Sequence, residues 1–422
     1  MDTTTVLLTL TIIAGLYMAW NIGANDVSNA MGTSVGSKAI SFKKAIMIAA
    51  VFEFLGAVLV GNHVTDTIRS KIVDFTGIEN QTLIMGMLAA LAGSAVWINI
   101  ATFLGLPVST THAIIGGVLG FGIVWNGIGA VKWGTVGYIA LSWLISPILG
   151  GICGYLIFIW IRNKILDSEN PLRNFIRFLP FVLFFSSLIL LLSMFFKGLK
   201  SLKLDLSFPQ ALGLFSLISL VVALVFSKIL TSFIMKKIRN KQLTEENNDQ
   251  YGKQYHVIEG TFKYLQIITA CFMAFAHGSN DIANATGPIA AIVSSLGSNL
   301  MKDNQIPVWI LGVGAGGIIL GLFTYGYKVM RTMGEKITEI SPTRGFSAEF
   351  GAAFTVLLGS KLGLPVSTTH TIVGAIIGIG FARGIAAINK SVLKNIFLSW
   401  FVTLPAAAVF TVVSYLALKW FL

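Results

Sequence analysis

Gly23–Gly32 reads GANDVSNAMG and Gly278–Gly287 reads GSNDIANATG, while LPVSTTH at Leu106–His112 returns unchanged at Leu364–His370. Two polar motifs written twice in the same order within an apolar chain mark two related halves whose copies meet at one site inside a membrane. The pair Ser142-Trp143 and Ser399-Trp400 continues the correspondence at nearly the same offset. Glu53 in EFLGA and Glu349 in EFGAA form a fourth pair at a larger offset.

Composition supports the membrane reading. Of 422 residues, 55% are hydrophobic and only 11% charged, with 43 glycines and a mean hydropathy of +0.80. Runs such as Phe181–Phe196, FVLFFSSLILLLSMFF, are apolar on every face, which excludes the two-residue alternation of a barrel. Several apolar stretches approach the about 20 residues that span a bilayer. Shorter ones abut the repeated motifs, as helices broken at mid-membrane do. The expected fold is an all-α integral membrane protein. The first stretch reads as a spanning helix and not a cleaved leader, because Met1–Thr5 has no basic residue and Trp20–Asp26 offers no small-residue cleavage site. Cys153 and Cys271 sit in apolar sequence and read as buried, inert thiols. The net charge of +12 is scattered over loops without interleaved aromatics, which argues against a nucleic-acid partner and for an anionic lipid bilayer.

The chain divides into a first repeat at 1–161, an inserted helical pair with a linker at 162–263, and a second repeat at 264–422. Arg162, Lys164, Arg173 and Arg177 make one basic loop, and the polar Lys236–Lys263 a second, with two spanning stretches between them. Both loops therefore face one side, and the positive-inside bias puts 162–177 and 236–263 in the cytoplasm of a multi-pass cell-membrane protein. The lysines of Lys197–Asp205 run against that assignment without outweighing it.

A charge in lipid costs at least about 2.5 kcal/mol, so Asp26 and Asp281 need a reason. Each is expected at the end of a short helix, with Gly23 or Gly278 helping to unwind the backbone. Asn25, Asp26 and Asn29, with Asn280, Asp281 and Asn284, would then offer oxygens to a hard cation. Helix capping is the plain structural alternative, and it leaves the doubling unexplained. In the second motif Pro107 and Pro365 break the preceding segments. Ser109, Thr110 and Thr111, and Ser367, Thr368 and Thr369, begin new helices whose free amides and hydroxyls suit an oxyanion such as tetrahedral phosphate. Simple capping of a hairpin is the alternative. His112 and His370 either donate to that oxyanion or change charge near neutral pH, or else hold the hairpin by a hydrogen bond. Glu53 and Glu349 are auxiliary candidates, neutralising a neighbour, binding a third cation or packing. His63, Asp66 and Arg69 read as loop residues, and His277 stands where the first copy has Ile22, so it is not a repeated ligand. GVGAGG at Gly312–Gly317 has no strand before it and reads as helix packing, not as a dinucleotide loop.

The doubled Asn-Asp and Pro-Val-Ser-Thr-Thr-His motifs resemble those of the inorganic phosphate transporter family, PiT, whose members are cation-coupled phosphate symporters. The likeness covers Leu7–Ile161 and Tyr264–Leu422. It implies about twelve transmembrane segments in two inverted repeats, with broken helices, two re-entrant hairpins and a homodimer. It also implies a sodium-dependent symporter that brings phosphate into the cell by alternating access, is not an enzyme and holds no resident cofactor. Phosphate contacts fall by resemblance on Asn25, Asp26, Ser109, Thr110, Thr111, Asn280, Asp281, Ser367, Thr368 and Thr369. Sodium contacts cluster at Asn25, Asp26, Asn29, Asn280, Asp281 and Asn284. Residue chemistry by itself leaves open proton coupling, sulfate or metal-phosphate as cargo, an anion channel, and an intramembrane enzyme with Asp26 and Asp281 as an acid pair.

Overall fold

The computed structural model describes residues 3–60, 72–198, 206–242, 250–297, 306–361 and 366–421. Among them the chain is helical apart from short links and one isolated bridge between Val73 and Val131. The helices are α1 (Thr3–Gly36), α2 (Phe42–Val60), α3 (Asn80–Phe103), α4 (Thr110–Asn126), α5 (Trp133–Ile161), α6 (Pro171–Ser193), α7 (Phe208–Gln242), α8 (Gln250–Asp281), α9 (Ala283–Leu296), α10 (Val308–Thr324), α11 (Tyr327–Arg331), α12 (Pro342–Lys361), α13 (Thr368–Arg383) and α14 (Lys390–Phe421). Six of them, α1, α3, α5, α6, α7 and α14, are each long and apolar enough to cross a membrane. The bent pair of α10 with residues 327–336, angled by 61°, makes a seventh candidate. The molecule is an all-α membrane protein.

The first Asn-Asp motif lies inside α1, which runs unbroken from Thr3 to Gly36. The expectation that Asp26 ends a short helix is therefore corrected. Asp281 does end a helix, but one of 32 residues, and the chain breaks only at Ile282 before α9. The motif glycines explain the difference. A Cβ on Gly23 would lie 1.9 Å from the carbonyl oxygen of Ile318 in α10, and one on Gly278 would lie 2.1 Å from that of Glu53 in α2. These glycines let two helix backbones pass in contact; they do not unwind either one. An unbroken helix also keeps its backbone hydrogen bonds internal where no water can replace them. Asp26 at mid-helix also rules out the capping alternative for that residue.

The two halves share local design at the second motif. Ser109 caps α4 and Ser367 caps α13, each accepting from the backbone amide of the histidine three residues on at 3.3 Å. Each short helix is followed by a single turn, 128–130 or 385–387, and then by a long helix with an internal proline, Pro147 or Pro405. Contacts between these elements are reciprocal. Gly116 of α4 presses on the backbone of Leu404 in α14, and its counterpart Gly374 of α13 presses on that of Pro147 in α5.

The boundary drawn at residue 263 falls inside α8. Its N-terminal turns are fixed by Glu259, which accepts from the amide of Thr343 at 2.9 Å, from its hydroxyl at 2.7 Å and from Ser341 at 3.0 Å, tying α8 to the start of α12. His63, Asp66, Arg69 and Pro365 lie outside the described residues. Cys153 and Cys271 are free but only half-buried, so the expectation of buried thiols is corrected. In the glycine run of α10, Gly317 meets α1 at Leu16 and Ala19 while Gly314 meets Ile282 and Thr286, so the run is a packing seam.

Gly23→Val should lower the thermal stability of the purified protein by at least about 1–3 kcal/mol through overpacking. Gly312→Val, at an exposed glycine of α10 with open space around it, should leave the midpoint within about 0.5 kcal/mol. Equal midpoints in a melting curve would contradict the packing role of Gly23.

Candidate functional site

Asp26 is 1% exposed at the middle of α1, and all four motif copies send a side chain toward it or its partners. From the first hairpin, Thr110 donates its hydroxyl to Asp26 Oδ2 at 2.6 Å. From the second, the Thr369 hydroxyl lies 3.4 Å from Asp26 Oδ1. Asn29, one turn on, donates to Asp26 Oδ1 at 3.2 Å and to Thr369 Oγ1 at 2.9 Å. Asn284 of the second Asn-Asp motif donates to Thr110 Oγ1 at 3.2 Å and to Thr111 Oγ1 at 3.0 Å. The N-termini of α4 and α13 thus meet beside α1, where Thr110 reaches one oxygen of the Asp26 carboxylate and Thr369 the other.

Asp281 approaches from α8, with Asn280 donating to its Oδ1 at 2.9 Å. Between the two aspartates stands a residue the repeat comparison passed over. His277 Nε2 lies 3.2 Å from Asp281 Oδ2 and 3.6 Å from Asp26 Oδ2, and His277 Nδ1 lies 3.1 Å from Glu53 Oε1. His277, Glu53, Asp26 and Asp281 are all at most 3% exposed. Three buried carboxylates around one imidazole leave an excess of negative potential, and Asp26, His277 and Asp281 present ligand atoms within 4.8 Å of one another, a spacing suited to a cation. The signal available in the sequence was position: His277 precedes Asp281 by four residues and so shares its helix face. Its place in the first half is taken by Ile22, so the repeat alone sets it aside.

The remaining candidates sort by the company they keep. Asn25 braces the first hairpin, donating to Thr102 Oγ1 at 2.9 Å and to the carbonyl of Leu106 at 3.1 Å, and accepting from the amide of Val108 at 3.1 Å. Ser109 and Ser367 act as caps, so their hydroxyls serve the helix ends. Thr368 is half-buried at the start of α13. His112 and His370 pack against each other and against tryptophans. Their rings lie 4.9 Å apart, His370 stacks on Trp400 at 3.8 Å, and His112 lies 5.1 Å from Trp143. Glu349 sits in a separate polar nest, accepting from Thr33 at 2.5 Å, Ser34 at 2.9 Å and Gln266 at 3.3 Å, and from Thr269. Thr33, Ser34, Gln266 and Thr269 were not singled out by sequence, because hydroxyls and amides in apolar helices are common.

A model of the phosphate transporter family matches residues 22–411. A candidate phosphate permease of Chlamydia trachomatis is 44% identical, over 98% of this chain and 99% of its own. The inorganic phosphate transporter 2-1, chloroplastic, of Arabidopsis thaliana is 41% identical over 96% of this chain and 70% of its own. A solved structure described as the sodium-dependent phosphate transporter superposes with a TM-score of 0.84 at 41% identity, covering 99% of this chain and 100% of that one.

Thr110→Val removes a donor from a buried carboxylate and should lower stability by about 1–3 kcal/mol. Thr111→Val, whose hydroxyl receives Asn284 but does not reach Asp26, should cost less. Thermal unfolding of the two variants side by side checks the order, and a larger loss in Thr111→Val would reverse this account of the site.

Proposed function

Because this chain belongs to the phosphate transporter family, we propose that it is a symporter that brings inorganic phosphate into the cell with sodium by alternating access. The observation that carries the reading is the convergence on Asp26 of Thr110 from one hairpin and Thr369 from the other. Sodium is held by Asp26 and Asp281 with the side-chain oxygens of Asn29, Asn280 and Asn284, and Asn25 keeps the first hairpin in place for it. Phosphate lies at the facing helix starts, taking free amides there and the hydroxyls of Thr110, Thr111, Thr368 and Thr369, with Ser109 and Ser367 holding the two caps.

Coupling follows from shared atoms. Without sodium the Thr110 hydroxyl is committed to the Asp26 carboxylate. A cation bound at Asp26 takes over that neutralisation, and the hydroxyl turns to the oxyanion. Each ligand therefore raises affinity for the other by the same factor, typically 5–150-fold for such couplings. Glu53 acts through His277, which it holds between the aspartates. No step needs covalent chemistry.

Reciprocal packing of Gly116 on Leu404 and Gly374 on Pro147 supports two inverted repeats that rock about the site. It also supports an orientation. Arg162 reaches the carbonyl of Ala382, Gln254 accepts from the amide of Leu172, and Glu259 holds Thr343, so residues 162–172, 254–259, 343–344 and 382–394 share one end. That end carries Arg162, Lys164, Arg344, Arg383, Lys390 and Lys394 and faces the cytoplasm under the positive-inside bias.

In proteoliposomes, an inward sodium gradient should drive uptake of radiolabelled phosphate, and Asp26→Asn and Asp281→Asn should abolish the stimulation. Stimulation by a proton gradient alone would replace sodium by protons at the aspartates, and flux independent of any gradient would mean a channel. Phosphate affinity measured by calorimetry should rise at least 5-fold on adding sodium in the wild type and stay flat in Asp26→Asn.

A further inference from the structure

On the outer flank of α5, α13 and α14 lies an apolar groove of about 620 Å³. Its floor is the seam where Gly374 and Gly378 meet the α5 backbone at Pro147 and Gly151, so closely that no side chain fills the depression. Ile148, Tyr155, Phe381, Phe397 and Phe401 form its walls. The volume is that of a small-molecule pocket, but no cluster of polar groups converges on it, so what enters is hydrocarbon.

Charge gathers at one end of this groove. The pairings Gly374 with Pro147 and Gly378 with Gly151 mean that α13 and α5 run in the same direction, and they finish together where Arg162 donates to the carbonyl of Ala382 at 2.8 Å. One turn at 385–387 then leads directly into α14 at Lys390. On α14, Lys390 and Lys394 lie on the helix face of Phe397 and Phe401, and on α5 the stripe of Ile148 and Tyr155 continues to Arg162. Both lysines are exposed. Arg162 is partly exposed and also faces Asp167 at 3.6 Å and Asn163 Oδ1 at 3.5 Å. An apolar channel opening on a basic mouth at the membrane surface complements one kind of molecule in both shape and sign.

We propose that this groove binds an anionic phospholipid, with an acyl chain along the glycine seam and the headgroup phosphate at Lys390, Lys394 and Arg162. The site reaches the transport machinery through its floor. Trp143 and Trp400 line it, and Trp400 stacks on His370 at 3.8 Å and donates Nε1 to the carbonyl of Pro107 at 3.0 Å, while Trp143 lies against His112 at 5.1 Å. A chain resting on these two indoles holds both hairpins against α1, so the lipid tunes the site without touching phosphate.

Native mass spectrometry of the protein with equal phosphatidylglycerol and phosphatidylcholine should retain the anionic lipid at least tenfold over the neutral one. That preference should vanish in Lys390→Ala/Lys394→Ala, at exposed positions that do not threaten folding, and in Ile148→Trp, which fills the groove. Phosphate uptake should rise several-fold on adding phosphatidylglycerol to neutral vesicles for the wild type and not for the two variants, whose uptake in neutral vesicles stays that of the wild type. Equal retention of the two lipids, an unchanged preference in the double variant, or a dimer that dissociates in Ile148→Trp would overturn the proposal, the last by giving the groove to a second copy of the chain.

Discussion

A carboxylate stands in the middle of an unbroken apolar helix, and much of the bundle is arranged around it. Asp26 in α1, buried in the bundle, would be costly without donors. Thr110, Thr369 and Asn29 supply them from three directions, and Asn284 and His277 bring the second half of the chain to the same place. Satisfying one buried charge thus recruits the start of α4, the start of α13 and the end of α8. In the proposed symport the same donors couple the two ligands, since a cation bound at the carboxylate would free them for the oxyanion.

Close approach of helices makes this convergence geometrically feasible. Threonine and asparagine side chains hydrogen-bond across packed helices, and small residues let the backbones that carry them approach closely. The seams at Gly23 with Ile318, Gly278 with Glu53, and Gly36 with Gly334 bring backbones into contact, and in lipid such contact is the principal source of helix affinity. Glycine abundance and polar centre are therefore one design. The aromatic pairs outside the site, His370 on Trp400 and His112 beside Trp143, continue it outward by holding the hairpins that the threonines head.

Much of the site was legible before any coordinates. Asp26, Thr110, Asn284 and Thr369 come from the doubled motifs, and each is part of the polar cluster. The motifs also located both helix starts correctly, because a proline followed by serine and threonines is a local signal that needs no tertiary partner. What failed was the reading of Gly23 and Gly278 as unwinding points. A glycine that frees a backbone and one that admits a neighbouring helix look alike in a sequence, and only the presence of Ile318 or Glu53 distinguishes them. His277 was set aside for a different reason: its partners Glu53 and Asp26 lie more than two hundred residues away, and its place in the first copy is taken by Ile22.

The sequence by itself determined the class of the protein, its twofold internal design, the helix caps and the identity of the polar groups that face lipid cost, since these follow from local pattern and composition. Tertiary structure decided which of those groups share atoms, that α1 stays continuous through its aspartate, that Asn25 serves the hairpin, and that Glu349 has a nest of its own with Thr33, Ser34, Gln266 and Thr269. The division has a physical cause. Helix formation and capping depend on residues a few positions apart, whereas satisfying a buried charge depends on whichever donors the packing of distant helices brings within about 3 Å.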